Sequence, residues 1–358
     1  MKKYDSVLTK SVSALIKIIS IFLMFFHHFF SYDEWIVGTN YYISVFHIQS
    51  VTVENFLSFN GKLCVAIFTV LSGYGMYYSL SKDSSIKKCL YRILTFLISF
   101  WTILLTVFIP LFFAFGNKIT FFEFLLSFLT VHKTFNLFCW YVHFYIIAVL
   151  AILVYHRIIN RQKNHLVVNI IVITLAILIP FTQEKQGTVL EEFLLYFPSM
   201  LMGYLLAQYQ LYEFFINKLK SFSNMYMFIL GFFGMGIILF IRYAVYVLTN
   251  FKISIQIDSI FATFFILFAI VIFSRMQIKK EDKIIRLGKA TTFMWYLHAL
   301  FFGVYADNLQ WIAFLPKISI LIVVWVYLLL LPISLLFNLI EKYISVRIKH
   351  LFSKMHRI

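Results

Sequence analysis

Ten segments of the sequence are long enough and apolar enough to cross a lipid bilayer as helices. A spanning helix needs about 20 mostly apolar residues, because each residue advances a helix by about 1.5 Å and the hydrocarbon layer is about 30 Å thick. Inside that layer no water is available to hydrogen-bond with backbone N–H and C=O groups. A helix satisfies these groups by hydrogen bonds within its own segment. The sequence therefore predicts an all-α, polytopic transmembrane helix bundle. The ten predicted spans are residues 12–30, 63–80, 93–115, 138–155, 166–181, 193–208, 225–248, 256–274, 290–306 and 318–340.

The composition agrees with a membrane protein and disagrees with a soluble one. Of the 358 residues, 62% are hydrophobic and 13% are charged, whereas a soluble domain is about half apolar and about a quarter charged. The 44 Phe and 22 Tyr residues suit a lipid-facing surface with aromatic rings at its interfaces. The spans and their connections use the whole chain, so we predict one membrane-embedded domain over residues 1–358, with no separate soluble domain.

Neither a cleaved leader nor a metal site is expected. The first apolar segment has a basic start, as a signal peptide has, but it runs into HHFFSYDEW instead of a small-residue cleavage site. We therefore interpret it as an uncleaved span. Cys64, Cys89 and Cys139 have neither CxxC spacing nor a metal-ligand pattern, and they are expected to pack as small apolar side chains.

The positive charge of the chain follows the orientation rule for membrane proteins. The formal net charge is +16. In a soluble protein this would suggest a nucleic acid, but basic residues collect in the cytoplasmic loops of membrane proteins, and no nucleic-acid partner is predicted. With the N-terminus inside, the inner segments hold 23 of the 31 Lys and Arg residues and the outer loops hold 6. We predict a multi-pass protein of the cell membrane, plasma or inner, with both termini cytoplasmic.

Three ionisable side chains, Lys17, His27 and His28, lie within the first predicted span. His28 follows Lys17 by eleven residues. Eleven helical steps of about 100° leave the two side chains within about 20° of one stripe and about 16 Å apart along the axis, whereas His27 points about 100° away. An ionisable residue inside a span is a candidate for function. Two structural alternatives are open: Lys17 extends its ammonium group to the inner surface, or His28 pairs with an interior neighbour.

These residues also carry a resemblance to a known family. The segment KIISIFLMFFHH resembles the Arg/Lys-x10-His signature of the acyltransferase-3 family of integral-membrane O-acyltransferases, and its spacing selects His28 over His27. GKLCVAIFTVLSGYGMYYSL is similar to the family's second helix, with its F-x-x-L-S-G-Y core. LGKATTFMWYLHALF resembles the family's late Gly-Lys-x-Ser-x-x-x-Tyr-Leu-x-His segment, with His298 in place. The likeness extends over about residues 12–345.

The resemblance implies transfer of an acyl group, usually acetyl from acetyl-CoA, to a hydroxyl of a bacterial envelope or capsular carbohydrate. A sugar hydroxyl is a poor nucleophile, so a base must take its proton as it attacks the thioester. Histidine titrates near neutrality. We assign His28 as the general base, with a covalent acyl-imidazole as the alternative. Lys17 is the second predicted catalytic residue, toward the cytoplasmic side from which the acyl donor is expected to bind.

The predicted partners are acyl-CoA, a carbohydrate acceptor and the lipid bilayer. Acetyl-CoA is the predicted acyl donor; its phosphates need cations, and arginine offers them a bidentate fork. The alternative for each cation is ordinary charge in a cytoplasmic loop. The predicted donor-binding residues are Arg92, Lys88, Lys289 and Arg286, with Lys82 and Lys87 as further cations. The predicted substrate- or pore-lining residues are Ser72, Gly73, Tyr74, Trp140 and His298.

Each lining residue also has a structural interpretation. Ser72 and Gly73 allow close helix packing, and Trp140 belongs to an aromatic belt at the interface. His298 makes a structural hydrogen bond. Arg242, near the outer end of a span, is expected to extend its guanidinium to the surface, with an acceptor contact as the alternative.

A transporter or flippase of a lipid-linked glycan or polysaccharide is the competing function. Apolar helices with scattered internal charges and aromatic residues suit transport as well as catalysis. Transporters often carry an internal repeat between their halves, and the sequence shows none. This asymmetry favours the enzyme, while a sensor is disfavoured because no signalling domain is visible.

The predicted orientation can be tested with reporter fusions. Fusions at Asn160 and Asn117 are expected to report opposite faces of the membrane, Asn160 inside and Asn117 outside, because the intervening predicted span reverses the direction of the chain. Enzymatic reporters that are active on one side only measure this directly. Two fusions that report the same side would contradict the predicted spans.

Overall fold

The computed structural model describes residues 6–45, 47–48, 51–159, 165–182, 188–249, 255–276 and 278–354. The described chain is helical almost throughout. Its α-helices are α1 Lys10–Phe30, α2 Val53–Gly61, α3 Leu63–Lys82, α4 Ile86–Ile103, α5 Ile109–Ala114, α6 Phe121–Phe128, α7 Trp140–Ile159, α8 His165–Leu178, α9 Val189–Gln208, α10 Leu211–Lys218, α11 Asn224–Leu248, α12 Asp258–Phe273, α13 Glu281–Leu297, α14 Ala306–Ala313 and α15 Ser319–Lys354.

Shorter elements connect these helices. A π-helical turn, Leu104–Phe108, joins α4 to α5. Two short strands, β1 His47–Ile48 and β2 Val51–Thr52, pair antiparallel with His47 opposite Thr52. The 3-10 helices are Asp33–Trp35, Ile179–Thr182, Ile255–Ile257, His298–Phe301 and Gly303–Tyr305.

The predicted all-α polytopic bundle is confirmed. In the described part of the chain, eight helical stretches are long and apolar enough to cross a membrane, and they coincide with eight of the ten predicted spans. The predicted span 166–181 forms a shorter apolar helix, Leu166–Phe181. The exact number of spans stays a prediction, and both chain ends, residues 1–5 and 355–358, lie outside the described residues.

The predicted span 290–306 is wrong as a continuous helix. Helix α13 ends at Leu297, and 3-10 turns follow it. The imidazole of His298 donates from Nδ1 to the carbonyl oxygen of Trp295, which is one of the carbonyl groups that a helix end leaves without a backbone partner. Gly303 then adopts a φ of +59°, a left-handed value that favours glycine. Hydropathy cannot reveal this break, because the segment is apolar on both sides of it.

The chain forms two compact units, each assembled from three separate stretches. The first unit contains residues 1–27, 56–89 and 147–288, and the second contains residues 28–55, 90–146 and 289–358. The single domain over residues 1–358 stays a prediction.

The first unit is built around α3, which packs against α9 and α12, while α11 packs against α12. Two glycines bring α3 and α9 into backbone contact. A Cβ at Gly73 would lie 1.9 Å from the carbonyl oxygen of Met200, and a Cβ at Gly203 would lie 2.0 Å from that of Val70. Small residues allow this close approach of helices. The structure thus accounts for Gly73 by helix packing.

Arg242 is buried, so the predicted outward position of its guanidinium is wrong. The side chain, on α11, is 2% exposed, as is Asp258 at the start of α12. The guanidinium donates from Nε to Oδ1 of Asp258 at 2.7 Å and from Nη2 to Oδ2 at 3.0 Å. Its Nη1 donates to the carbonyl oxygen of Phe59 on α2 at 2.7 Å. The guanidinium therefore joins α11 to α12 and to Phe59 of α2, and all three residues lie within the first unit.

The second unit has a core of fully buried aromatic residues. Tyr296 on α13 lies against Phe100 of α4 and Phe293, with ring centroids 5.8 and 6.3 Å away. The hydroxyl of Tyr305 lies 3.1 Å from the carbonyl oxygens of both Phe108 and Phe135. Aromatic side chains thus connect α4, α13 and the segment before α7.

Replacing Arg242 tests the buried ion pair. Arg242→Met leaves the Asp258 carboxylate buried without its cation, and we expect the free energy of unfolding to fall by about 3–5 kcal/mol. The double variant Arg242→Met/Asp258→Leu is expected to lose less, because no charge stays buried. Thermal unfolding in detergent measures both. Arg347→Met, at an exposed position, is the matched control. Equal loss in the single and the double variant would contradict the pairing.

Candidate active site

His28 lies in the last turn of α1, where its imidazole is half-buried. The helix starts where the hydroxyl of Thr9 accepts the backbone N–H of Val12 at 3.2 Å, an N-terminal cap. From there α1 runs unbroken from Lys10 to Phe30. Lys17 and His28 therefore lie on one helix, about 16 Å apart along its axis.

His298 follows α13 directly and is fully buried. Its Nε2 lies 2.9 Å from Nδ1 of His28, and the two rings are close to parallel, with centroids 4.7 Å apart and an angle of 16° between their planes. His28, His298 and Trp295, whose carbonyl oxygen accepts from Nδ1 of His298, thus form a short chain of hydrogen bonds within the second unit.

The partners in this chain decide where the hydrogens lie. A carbonyl oxygen can only accept, so Nδ1 of His298 carries a hydrogen, and Nε2 of a neutral His298 has a lone pair. The hydrogen between the two rings therefore belongs to Nδ1 of His28, which donates to His298. A neutral His28 then has its own lone pair on Nε2. These hydrogen positions are assigned from the network, and they give His28 a basic nitrogen on the far side of its ring from His298.

Aromatic rings surround the two histidines. Phe138 stacks on both, with centroids 4.1 Å from His28 and 4.6 Å from His298. The ring of Trp35 also stacks on His28, with centroids 6.0 Å apart, and the ring of Phe302 meets His28 edge-on, with centroids 6.1 Å apart. These rings enclose the pair of histidines in apolar surface. A neutral His28 is the form that can accept a proton.

The other predicted site residues of the second unit have partners of their own. Arg92 donates from Nε to the hydroxyl of Tyr145 at 2.8 Å. The half-buried ring of Trp140 meets Tyr141 edge-on at 5.8 Å. Lys289 is exposed on α13. Their predicted roles in binding stay predictions.

The remaining predicted site residues belong to the first unit. Ser72 donates to the carbonyl oxygen of Phe68 in its own helix at 2.9 Å, and Tyr74 donates to the buried carboxylate of Glu213. These bonds occupy the hydrogens that the two hydroxyl groups would offer to a substrate. Among the predicted cations, Lys88 donates to the carbonyl oxygen of Ser79 at 3.1 Å, Lys17 is half-buried, and Arg286 is exposed.

Sequence reasoning missed Trp35 and Phe138. Trp35 follows His28 by seven residues, beyond the end of α1, so proximity along the chain was the one signal for it. Phe138 is one of 44 phenylalanines, and nothing in the sequence distinguishes it. Its contact with both histidines depends on tertiary packing.

Comparison with known protein families matches residues 14–339 to an acyltransferase domain. The chain belongs to the acyltransferase-3 family. No curated protein and no solved structure matches it in the corresponding comparisons. Together with the spanning helices, the family match makes this chain a multi-pass membrane acyltransferase. The match favours the enzyme over the transporter, and the acyltransferase-3 resemblance is confirmed.

The hydrogen-bond chain predicts one tautomer for His28. We expect neutral His28 to carry its hydrogen on Nδ1, and to lose this preference in His298→Ala because the acceptor is removed. The 15N chemical shifts of histidine-labelled protein in bilayers measure the tautomer, and His28→Ala identifies the signal. His132→Ala, at an exposed histidine, is the control. A wild-type His28 with its hydrogen on Nε2 would contradict the assignment.

Proposed function

We propose that this acyltransferase moves an acyl group, most simply acetyl, from acyl-CoA to a hydroxyl of an envelope or capsular carbohydrate, with His28 as the general base. The observation that carries the proposal is the hydrogen bond from Nδ1 of His28 to the buried His298. Because Nδ1 of this half-buried imidazole donates to His298, we assign Nε2 as the nitrogen that takes the proton. The family match supports the transfer of an acyl group. The identities of the donor, the acceptor and the base are our proposals.

The proposed reaction needs one base and returns it unchanged. Nε2 of His28 takes the hydroxyl proton as the hydroxyl oxygen attacks the thioester carbonyl carbon. The tetrahedral intermediate then collapses, the carbon–sulfur bond breaks, and the departing thiolate takes the proton from His28. The products are the carbohydrate ester and free CoA, and no other reactant is required.

His298 holds and stabilises the base in this scheme. When His28 becomes an imidazolium, its Nδ1–H donates to a neutral acceptor, and this hydrogen bond strengthens because the donor is charged. The same bond fixes the plane of the His28 ring, which keeps Nε2 directed at the substrate. His298 is thus a positioning residue for His28. Its predicted pore-lining role is not required by this scheme.

The proposed donor site uses the cations predicted from the sequence. Acetyl-CoA carries phosphates, which a persistent positive charge attracts. Lys17 lies on the same helix as His28, toward the end predicted to be cytoplasmic, and Arg92 supplies a guanidinium in the second unit. Lys88, Lys289 and Arg286 are further donor contacts in the proposal. The basic inner loops support a cytoplasmic donor side and a location in the cell membrane, both of which belong to the proposal.

Variants of the two histidines test the proposal. His28→Ala is expected to lower acetyl transfer by about 10²–10⁴-fold, because the general base is lost. His298→Ala is expected to lower it by about 10²-fold, because the base is misplaced, and His298→Gln to lose less, because its amide oxygen still accepts. Carbohydrate O-acetyl content and CoA release measure transfer, while polymer export is measured separately.

His132→Ala, at an exposed histidine, is the matched control and is expected to behave as wild type. Normal acetylation in His28→Ala would refute the general base. Lost export with intact acetylation would point to transport as the activity.

A further inference from the structure

The aromatic contacts around His28 continue outward beyond Trp35. The ring of Tyr32 lies 4.6 Å from that of Trp35, which in turn stacks on His28. Trp35 is half-buried and Tyr32 is 36% exposed. The rings therefore run from the proposed base to the protein surface within the second unit.

Two carboxylates accompany these rings. Asp33 and Glu34 form a 3-10 turn with Trp35, immediately after α1, and both are exposed. Burial and the neighbouring Glu34 carboxylate raise the pKa of Tyr32, so its phenol keeps its proton at neutral pH. We call Tyr32, Asp33, Glu34 and Trp35 together the 32–35 turn. It combines two aromatic rings with two exposed carboxylates.

Gln310 fixes this turn from the interior. The side chain, on α14, is fully buried. Its Nε2 donates to the carbonyl oxygen of Trp35 at 2.6 Å and to that of Phe301 at 3.1 Å. Its Oε1 accepts from the backbone N–H of Val37 at 2.7 Å and from Nδ2 of Asn40 at 3.2 Å. All hydrogen-bonding capacity of the amide is used, so the turn is held in place before any ligand binds.

This combination suits an uncharged sugar ring. The apolar face of a pyranose lies flat on an aromatic ring, and its hydroxyl groups donate to carboxylates in strong, charge-assisted bonds. The carboxylates repel an anion at the same place. An aromatic belt at the membrane interface is the competing explanation for Tyr32 and Trp35, but it does not account for the paired carboxylates or for the buried amide that anchors the turn.

We propose that the 32–35 turn is the acceptor subsite, which binds an uncharged pyranose ring and presents its hydroxyl to His28. The inference rests on the proposed function, because it takes the acceptor to be a carbohydrate. Trp35 and Tyr32 provide the surface on which the ring lies, and Asp33 and Glu34 bind its hydroxyl groups. The subsite sets the affinity for the acceptor, whereas His28 sets the rate of transfer.

Acceptor kinetics test the subsite. The full-length protein in nanodiscs receives saturating acetyl-CoA and increasing concentrations of methyl glucoside, methyl galactoside or methyl N-acetylglucosaminide, with methyl glucuronoside as the charged counterpart. Transfer is followed by CoA release and by acetyl ester formation. Trp35→Ala is expected to raise the acceptor KM about tenfold and to lower kcat by a smaller factor. Trp35→Phe, which keeps a ring, is expected to restore most of the affinity.

Two further comparisons sharpen the test. Trp311→Ala removes an indole that is 54% exposed on α14, and as the matched control it is expected to leave the acceptor KM unchanged. Asp33→Asn/Glu34→Gln is expected to raise the KM for the neutral glycosides and to narrow the difference between glucoside and glucuronoside, because the repelling charges are gone.

Each failure has a distinct signature. An acceptor KM that Trp35→Ala leaves unchanged would overturn the subsite and assign the rings to the membrane interface. CoA release that depends on His28 but yields no acetylated glycoside would also overturn it, while the His28 base would stand. A wild-type protein that consumes no acetyl-CoA under any of these conditions would refute the proposed function, and the subsite with it.

Discussion

Polar groups of this protein must find their partners inside the chain, and its architecture follows from that requirement. A bilayer offers no water to backbone N–H and C=O groups, so the apolar segments become helices. The same requirement applies to side chains. The Arg242 guanidinium binds the Asp258 carboxylate and a backbone carbonyl, and Tyr74 donates to the buried Glu213. Internal pairing thus determines both the helices and the polar contacts between them.

The two histidines follow the same rule, because each pairs with the other within the second unit. His298 is satisfied on both nitrogens, by a backbone carbonyl and by His28. His28 uses one nitrogen for that pairing, and its ring is half-buried. In the proposed reaction, the network that satisfies His298 also fixes which nitrogen of His28 takes the proton. The buried histidine thus positions the half-buried one in that proposal.

The fold was largely predictable from the sequence because apolar length and loop charge act locally. Eight of the ten predicted spans coincide with long apolar helices, and the family signature selected His28. The break at His298 was not predictable, because it arises from a side chain that bonds a carbonyl three residues earlier. The pairing of His28 with a residue 270 positions later depends on tertiary packing. Gln310 follows no local pattern at all, and Arg242 was misjudged because its partner comes from the next helix.

The glycine contacts between α3 and α9 have a mechanical consequence. Gly73 of α3 contacts the backbone of Met200, and Gly203 of α9 contacts the backbone of Val70. The absent side chain of each glycine thus leaves a notch into which the backbone of the other helix fits. Sliding one helix along the other by a single turn would drive side chains into those notches. Because the two helices are in close contact at both glycines, their packing opposes sliding of one helix along the other. We therefore expect α3 and α9 to move together as one rigid body in any conformational change during turnover.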